Sequence, residues 1–305
     1  MKFRFHSFAE MTDILDSERI SAEAYAVKRE AFISGLDEGL ILKELDRRIA
    51  VSRASIIKGL REAQYSRSGL VRGAAAAFYN SERQLIRHEL YRRAISYSLA
   101  INEVNACGGK IVAFPTAGSS GIVAGAIWAW WDTNNNEKDT EPSIPEMSEA
   151  PFAAQLRGAF LISSLVGVII AQQATLAGSE GGCQAECGSA GAMAAAALSY
   201  LENLALDDCF SAAALSLKNS LGLACDPVAG LVEVPCVKRN AFFAANVLTA
   251  VDLTLAGIRS AIPFDDVVLA MKQIGDVMPA NIRENAKGGL AATPAGLALK
   301  DTLFA

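Results

Sequence analysis

Histidine is almost absent from this chain: its 305 residues include only His6 and His88. There is no Ser-His-Asp triad, and no H-E-x-x-H motif, Walker A loop or strand-borne G-x-G-x-x-G. His88 lies in the charged helical stretch 85–93 and reads as a surface or half-buried residue; His6 precedes the first helix with no constellation around it. An enzyme built on this chain has to draw a histidine base from another polypeptide. Positive charge is also thin. The net charge is −5 and no Lys/Arg block clusters with aromatics, which argues against a nucleic-acid phosphate binder. Long apolar runs are missing too. The most apolar stretch, 159–170, is short for a bilayer span, is followed by Gln172-Gln173 and reads as a buried helix. Met1-Lys2-Phe3-Arg4-Phe5-His6 leads into no apolar h-region, so no signal peptide is expected. The expectation is a cytoplasmic protein without nucleic-acid or membrane partners, in a compartment that keeps thiols reduced.

What is present is a globular, helix-forming chain. Half of it is hydrophobic (51%) and 20% is charged, unlike a disordered sequence. The length allows one large domain or two. Residues 20–63 are rich in strong helix formers without an internal proline, and apolar positions recur at helical spacing. A second long helix is expected over 81–106, with Ser81 as N-cap, Gln84 as its capping-box partner and Gly108-Gly109 at its end. A short extended piece, 110–114, then leads through Pro115 into the loop 116–121 and a buried helix through Trp131. Residues 132–148 read as a solvated loop, though not as a domain boundary. Helices follow near 149–176, 189–204, 208–222, 238–259 and 264–277. No fixed-period repeat and no sustained strand alternation occurs. The predicted fold is all-α: one large Ala-rich helical domain over 1–305, with N-terminal helices in 1–80 and glycine-rich loops where chemistry can sit.

Six cysteines stand out, at positions 107, 183, 187, 209, 225 and 236. In a reducing compartment, metal binding or catalysis explains them better than disulfides. Cys183 sits in Gly181-Gly182-Cys183-Gln184-Ala185-Glu186-Cys187-Gly188. Cys225 and Cys236 bracket Cys225-Asp226-Pro227-Val228-Ala229-Gly230-Leu231-Val232-Glu233-Val234-Pro235-Cys236. Cysteine in such turns is where a metal needs it, yet this spacing matches neither a zinc ribbon nor a ferredoxin run. Spacing alone therefore leaves metal binding and packing both open. Cys107 and Cys209, at ends of Ala/Leu-rich segments, read as packing residues. Cys187, four residues after Cys183, would share a helix face with it and stays open.

Two further segments carry polar groups. Pro115-Thr116-Ala117-Gly118-Ser119-Ser120-Gly121 opens a helix, and its hydroxyls and free N–H donors suit an anion, or simply a capped helix start. In Asn281-Ile282-Arg283-Glu284-Asn285-Ala286-Lys287-Gly288-Gly289, Lys287 could reach a carboxylate or act as a base if desolvated; the alternative is a solvated turn.

Taken together, residues 108–121, 181–190 and 223–236, with Arg239-Asn240, resemble the iron–sulfur-dependent L-serine dehydratases (L-serine ammonia-lyases), specifically their α subunit. The likeness is carried from about residue 80 to the end. It implies that Cys183, Cys225 and Cys236 ligate a [4Fe–4S] cluster with one open iron, a Lewis acid for the serine hydroxyl. It also implies that Thr116, Ala117, Gly118, Ser119 and Ser120 hold the substrate carboxylate, with pyruvate and ammonia as products. Lys287 is the candidate base. Single-chain relatives carry a C-terminal cysteine that reaches the open iron and a regulatory part with a Ser-His-Thr segment. This sequence has neither, so a separate β subunit is expected beside the substrate L-serine. Cys187 falls where single-chain relatives are usually apolar and stays outside the ligand set. Two other readings compete: a pyridoxal-phosphate dehydratase using Lys110 and the 116–121 loop, and a non-enzymatic iron–sulfur or zinc sensor of redox state.

Overall fold

A computed structural model of the chain describes residues 2–135, 147 and 151–304. The described residues form helices α1 (Phe8–Glu18), α2 (Ala22–Ser34), α3 (Glu38–Arg61), α4 (Ala74–Tyr79), α5 (Glu89–Ala106), α6 (Ser120–Asn134), α7 (Pro151–Gln173), α8 (Gly178–Gly181), α9 (Ser189–Leu201), α10 (Leu206–Lys218), α11 (Cys236–Leu255), α12 (Phe264–Val277) and α13 (Pro294–Phe304). Among them no strand forms, only isolated bridges at Tyr65–Arg72 and Cys225–Arg283. The all-α expectation therefore holds, and the helices pack as one domain.

Several boundaries differ from expectation for local reasons. The segment 20–63 is two helices, because Gly35 ends α2 with φ +71° and Asp37 caps α3, its carboxylate accepting from Gly39 N–H at 2.8 Å. The segment 81–106 becomes helical only at Glu89. Ser81 accepts from Arg83 N–H (3.2 Å), and Gln84 turns back to donate to the Phe78 carbonyl (2.8 Å), so no capping box forms. Residues 81–88 bury little, and Leu85 is 99% exposed, so no packing offsets the cost of ordering another two turns. The short piece 110–114 pairs with no strand. Helix α7 is longer than the apolar stretch that announced it. By length and composition it is long enough to cross a membrane, yet 72% of its apolar window is buried inside the protein.

Helix α9 is the centre. Every residue from Ser189 to Ser199 is buried, and α6, α7, α10 and α11 surround it, as expected for a helix apolar on all sides. Small residues allow close approach. A Cβ added at Gly125 of α6 would stand 2.8 Å from the Ser98 nitrogen of α5, and one at Gly121 would be 3.0 Å from the Ser98 carbonyl carbon. Gly59 of α3 meets Ala100 of α5 in the same way, at 2.7 Å. The N-terminal helices dock on the C-terminal ones. Phe8 stacks on Phe210 at 4.0 Å, Phe210 meets Phe264 edge-on at 5.2 Å, and Asp265 of α12 accepts from the Phe8 N–H at 2.8 Å.

The core also holds a charge pair that the sequence reading missed. Asp132 was expected to open a solvated loop. It lies in α6 instead, and both its oxygens accept from Arg53 of α3 at 2.7 Å, with both side chains 1% exposed. Tyr97 of α5 donates to the same carboxylate at 2.7 Å, and the guanidinium lies 4.5 Å from the Trp128 ring centroid. Residues 136–146 and 148 of that expected loop lie outside the described residues, while Met147 is buried.

Two stability outcomes follow. Asp132→Asn removes the carboxylate that Arg53 grips at both oxygens and lowers the unfolding free energy by about 3–5 kcal/mol, read from denaturant melts. Gly121→Ala pushes α6 away from Ser98 and costs about 1–3 kcal/mol through overpacking; an unchanged midpoint would contradict the close approach.

Candidate functional site

Four loops meet at the ends of the central helices. The first is 107–119, between α5 and α6. Its position is set by two asparagines of neighbouring helices: Asn102 of α5 and Asn240 of α11 both donate to the Gly118 carbonyl, at 2.9 and 2.8 Å. Asn102 Oδ1 also accepts from Ser120 Oγ and Gly121 N–H, each at 3.1 Å, which ties the start of α6 to α5. Asn105 adds a bond to the Ala117 carbonyl at 3.3 Å.

The second loop carries Cys183 and Cys187. Helix α8 ends at Gly182, whose φ of +72° reverses the chain; a Cβ there would stand 2.8 Å from the Leu223 carbonyl oxygen. One π-helical turn, Gln184–Gly188, then leads into α9, a widened turn of the kind found at functional sites. Gln184 fixes it, donating from Nε2 to the Met271 carbonyl (3.0 Å) and accepting at Oε1 from Gly222 N–H (2.9 Å).

The third loop, 224–235, carries Cys225 and delivers Cys236 as the first residue of α11. The fourth, 279–293, lies against it. Cys225 N–H donates to the Ile282 carbonyl (2.9 Å), and Glu284 N–H donates to the Cys225 carbonyl (2.7 Å). Asp226 accepts from Leu290 N–H at 2.8 Å and from Arg239 at 3.2 Å, and Arg239 also donates to the Ala224 carbonyl at 2.9 Å.

These loops enclose a cavity of about 250 Å³, walled by Thr116, Ala117, Gly118, Cys183, Glu186, Cys187, Cys225, Cys236 and Glu284 together with Pro227 and Val232. The three cysteines singled out by sequence therefore share one space, and so do three of the five loop residues. Ser119 and Ser120 are fully buried behind it. Ser119 Oγ lies 3.0 Å from Thr116 Oγ1, and Ser120 Oγ donates to the Ala117 carbonyl at 2.9 Å. Lys287 is exposed on the fourth loop and does not line the cavity. Lys110 is likewise exposed and outside it. Cys107 and Cys209 stand elsewhere: Cys107 follows α5 half-buried, and Cys209 is buried in α10.

Electrostatics at the cysteines is shared. Cys183 Sγ lies 3.4 Å from Cys187 Sγ. Hydrogen bonds from Cys187 and Cys225, then the Arg239 charge, hold the Cys183 thiol well below the usual range against burial. Cys187 and Cys225, as donors to Cys183 and buried themselves, are pushed up. Burial, then the Cys183 charge, pushes Cys236 up to about 12. Buried thiols beside one guanidinium are soft donors whose negative charge has a local counter-ion, and this donor set fits a metal centre.

Two cavity residues escaped the sequence reading. Glu186 Oε1 accepts from Thr116 Oγ1 at 2.9 Å, and its Oε2 accepts from the Cys225 thiol at 3.6 Å. Burial, then the Cys183 and Glu284 charges, pushes its carboxyl up to about 7. Glu284, at φ +57°, brings a second carboxylate. Donor atoms of Glu186, Cys225 and Glu284 all lie within 4.8 Å of one another. The available signal was position: Glu186 is a lone acid between two cysteines in a glycine-rich loop. Glu284 had none, because its contact with Cys225 spans 59 residues of chain.

The chain matches known proteins across this architecture. The family described as "Serine dehydratase alpha chain" matches residues 12–291. The probable L-serine dehydratase alpha chain of Bacillus subtilis (strain 168) is 41% identical over 303 residues, 98% of this chain and 95% of that protein. The L-serine dehydratase alpha chain of Peptoniphilus asaccharolyticus is 38% identical over 290 residues, 94% of each. L-serine dehydratase 2 of Escherichia coli (strain K12) is 37% identical over 198 residues, 64% of this chain and 40% of that protein. The likeness expected from about residue 80 onward thus extends over the N-terminal helices as well, consistent with their docking on α10 and α12. With the cysteine loops, the helices that aim them and nearly the whole length matched, this chain belongs to the serine dehydratase alpha chain family.

Proposed function

We propose that this chain is the α subunit of an L-serine dehydratase, an L-serine ammonia-lyase that forms pyruvate and ammonia with a [4Fe–4S] cluster held by Cys183, Cys225 and Cys236. What carries the reading is that these three thiols, drawn from two distant loops, line one cavity with residues 116–118. The bound cluster would supply a Lewis acid for the serine hydroxyl at its one iron without a cysteine. The chain's own groups account for the rest. The loop Thr116, Ala117, Gly118, Ser119 and Ser120 is assigned to the substrate carboxylate: the first three line the cavity before α6, where the helix dipole favours an anion, and the two buried serines brace them from behind. Asn102 and Asn240 keep that loop in register through Gly118. The proton at Cα needs an acceptor in hydrogen-bond reach. Lys287 fills that role if the turn around it closes over serine, whereas Glu186 already stands in the cavity wall.

A second subunit completes the site. Neither His6 nor His88 lines the cavity, and the relatives that match end to end are named alpha chains. We assign the missing histidine chemistry to a β subunit. Six free cysteines and the buried α7 fit a cytoplasmic location. The pyridoxal-phosphate reading has no support at the cavity, since no lysine among the described residues lines it.

Anaerobic reconstitution with iron and sulfide turns the wild-type protein brown, and Cys225→Ala stays colourless and makes no pyruvate with its β subunit; a wild type that stays colourless overturns the reading. For the proton acceptor, Lys287→Met and Glu186→Gln are compared by serine turnover of the reconstituted α–β enzyme. A loss of about 10²-fold or more, the usual worth of a general base, marks the residue that serves. Undiminished turnover in Lys287→Met removes that lysine.

A further inference from the structure

Cys187 has no role in the reading above, yet it stands among the proposed ligands. Its side chain is 2% exposed, lines the same cavity as Cys183, Cys225 and Cys236, and places Sγ 3.4 Å from that of Cys183. The placement is built in from several sides. The π-helical turn Gln184–Gly188 carries Cys187, and Gln184 anchors its start to Met271 and Gly222. At its end, Gly188 packs so closely that an added Cβ would stand 3.3 Å from Ser220 Cβ. Four thiols therefore line a space for which three ligands have been assigned.

We infer that Cys187 is the resting ligand of the cluster's fourth iron, bound while the substrate site is empty and released when L-serine takes that position. This rests on the cluster assignment of the preceding subsection. The release is a ligand exchange: no electron moves, and the sulfur leaves with its electron pair as a thiolate while the serine oxygen takes its place. Such a ligand shields the reactive corner of the cluster between turnovers. It also makes substrate compete with a residue of the protein, so apparent affinity falls by the fraction of sites that are open.

The test compares the reconstituted α–β enzyme with its Cys187→Ala and Cys187→Ser variants, all under anaerobic conditions. Iron and sulfide are assayed first. A wild type without four irons per site fails the cluster reading itself, and the inference with it. With clusters present, each protein receives a limiting amount of ferricyanide, and the EPR signal of the three-iron product is followed without serine. Wild type is expected to lose its fourth iron at least about tenfold more slowly than Cys187→Ala, and half-saturation by L-serine, read from the visible spectrum, to fall about tenfold in the variant, as for a competent state populated about one-tenth of the time. Saturating L-serine brings the iron-loss rates together, because it displaces Cys187 in the wild type. Equal rates without serine in wild type and Cys187→Ala overturn the inference. If Cys187→Ala folds poorly, Cys187→Ser preserves the volume, and the same comparison decides.

Discussion

The contact between α5 and α6 is the constraint on which the rest depends. Gly121 and Gly125 remove the side chains that would hold the helices apart, and the two backbones close on Ser98. Because the helices run so near one another, Asn102 can reach around the start of α6 and bind Gly121 N–H, Ser120 Oγ and the Gly118 carbonyl. The loop before α6 thus hangs from α5, and from Asn240 of α11, as well as on bonds of its own. The Arg53–Asp132 pair locks the far end of α6 to α3, so the helix is held at both ends.

The second requirement is electrostatic. Burying several thiols costs little while they are neutral, but any thiolate among them needs a counter-charge. The chain meets that need with one cation. Arg239 projects from α11 two turns or less beyond the loop it serves, is oriented by Asp226 and the Ala224 carbonyl, and stays charged because the Cys183, Cys187 and Asp226 charges outweigh its own burial. Asp226 in turn holds the C-terminal loop through Leu290 N–H. A single ion pair therefore joins the cysteine loop, the helix that follows it and the loop bearing Glu284. Burial, then the Cys183 charge, raises the carboxyl of Glu186 as well, so a proton held there is sensitive to the charge on sulfur.

Local sequence carried much of the fold. Helix α12 appeared with the expected limits, because Pro263 precedes it and its apolar face is regular. The long N-terminal segment was misjudged where a single glycine in the left-handed region outweighed strong helix formers on either side. Residues 81–88 were misjudged because a capping signal does not make a helix without a face to bury. At the site, the cysteines stood out through the glycines and prolines around them. Glu186 was visible as a letter but not as a cavity wall, and Glu284 had no local mark.

The sequence by itself determined that the chain is helical, that Cys183 and Cys225 sit among glycines and prolines and that histidine is scarce, since composition and short-range pattern are properties of the chain alone. Only the tertiary structure decided which cysteines face one another, that Asp132 is a buried partner of Arg53 rather than the start of a loop, and that Cys187 and Glu186 belong to the same cavity as Cys225. Those are contacts between segments far apart in sequence. They arise from the packing of α5, α6, α9 and α11, and no local spacing encodes them.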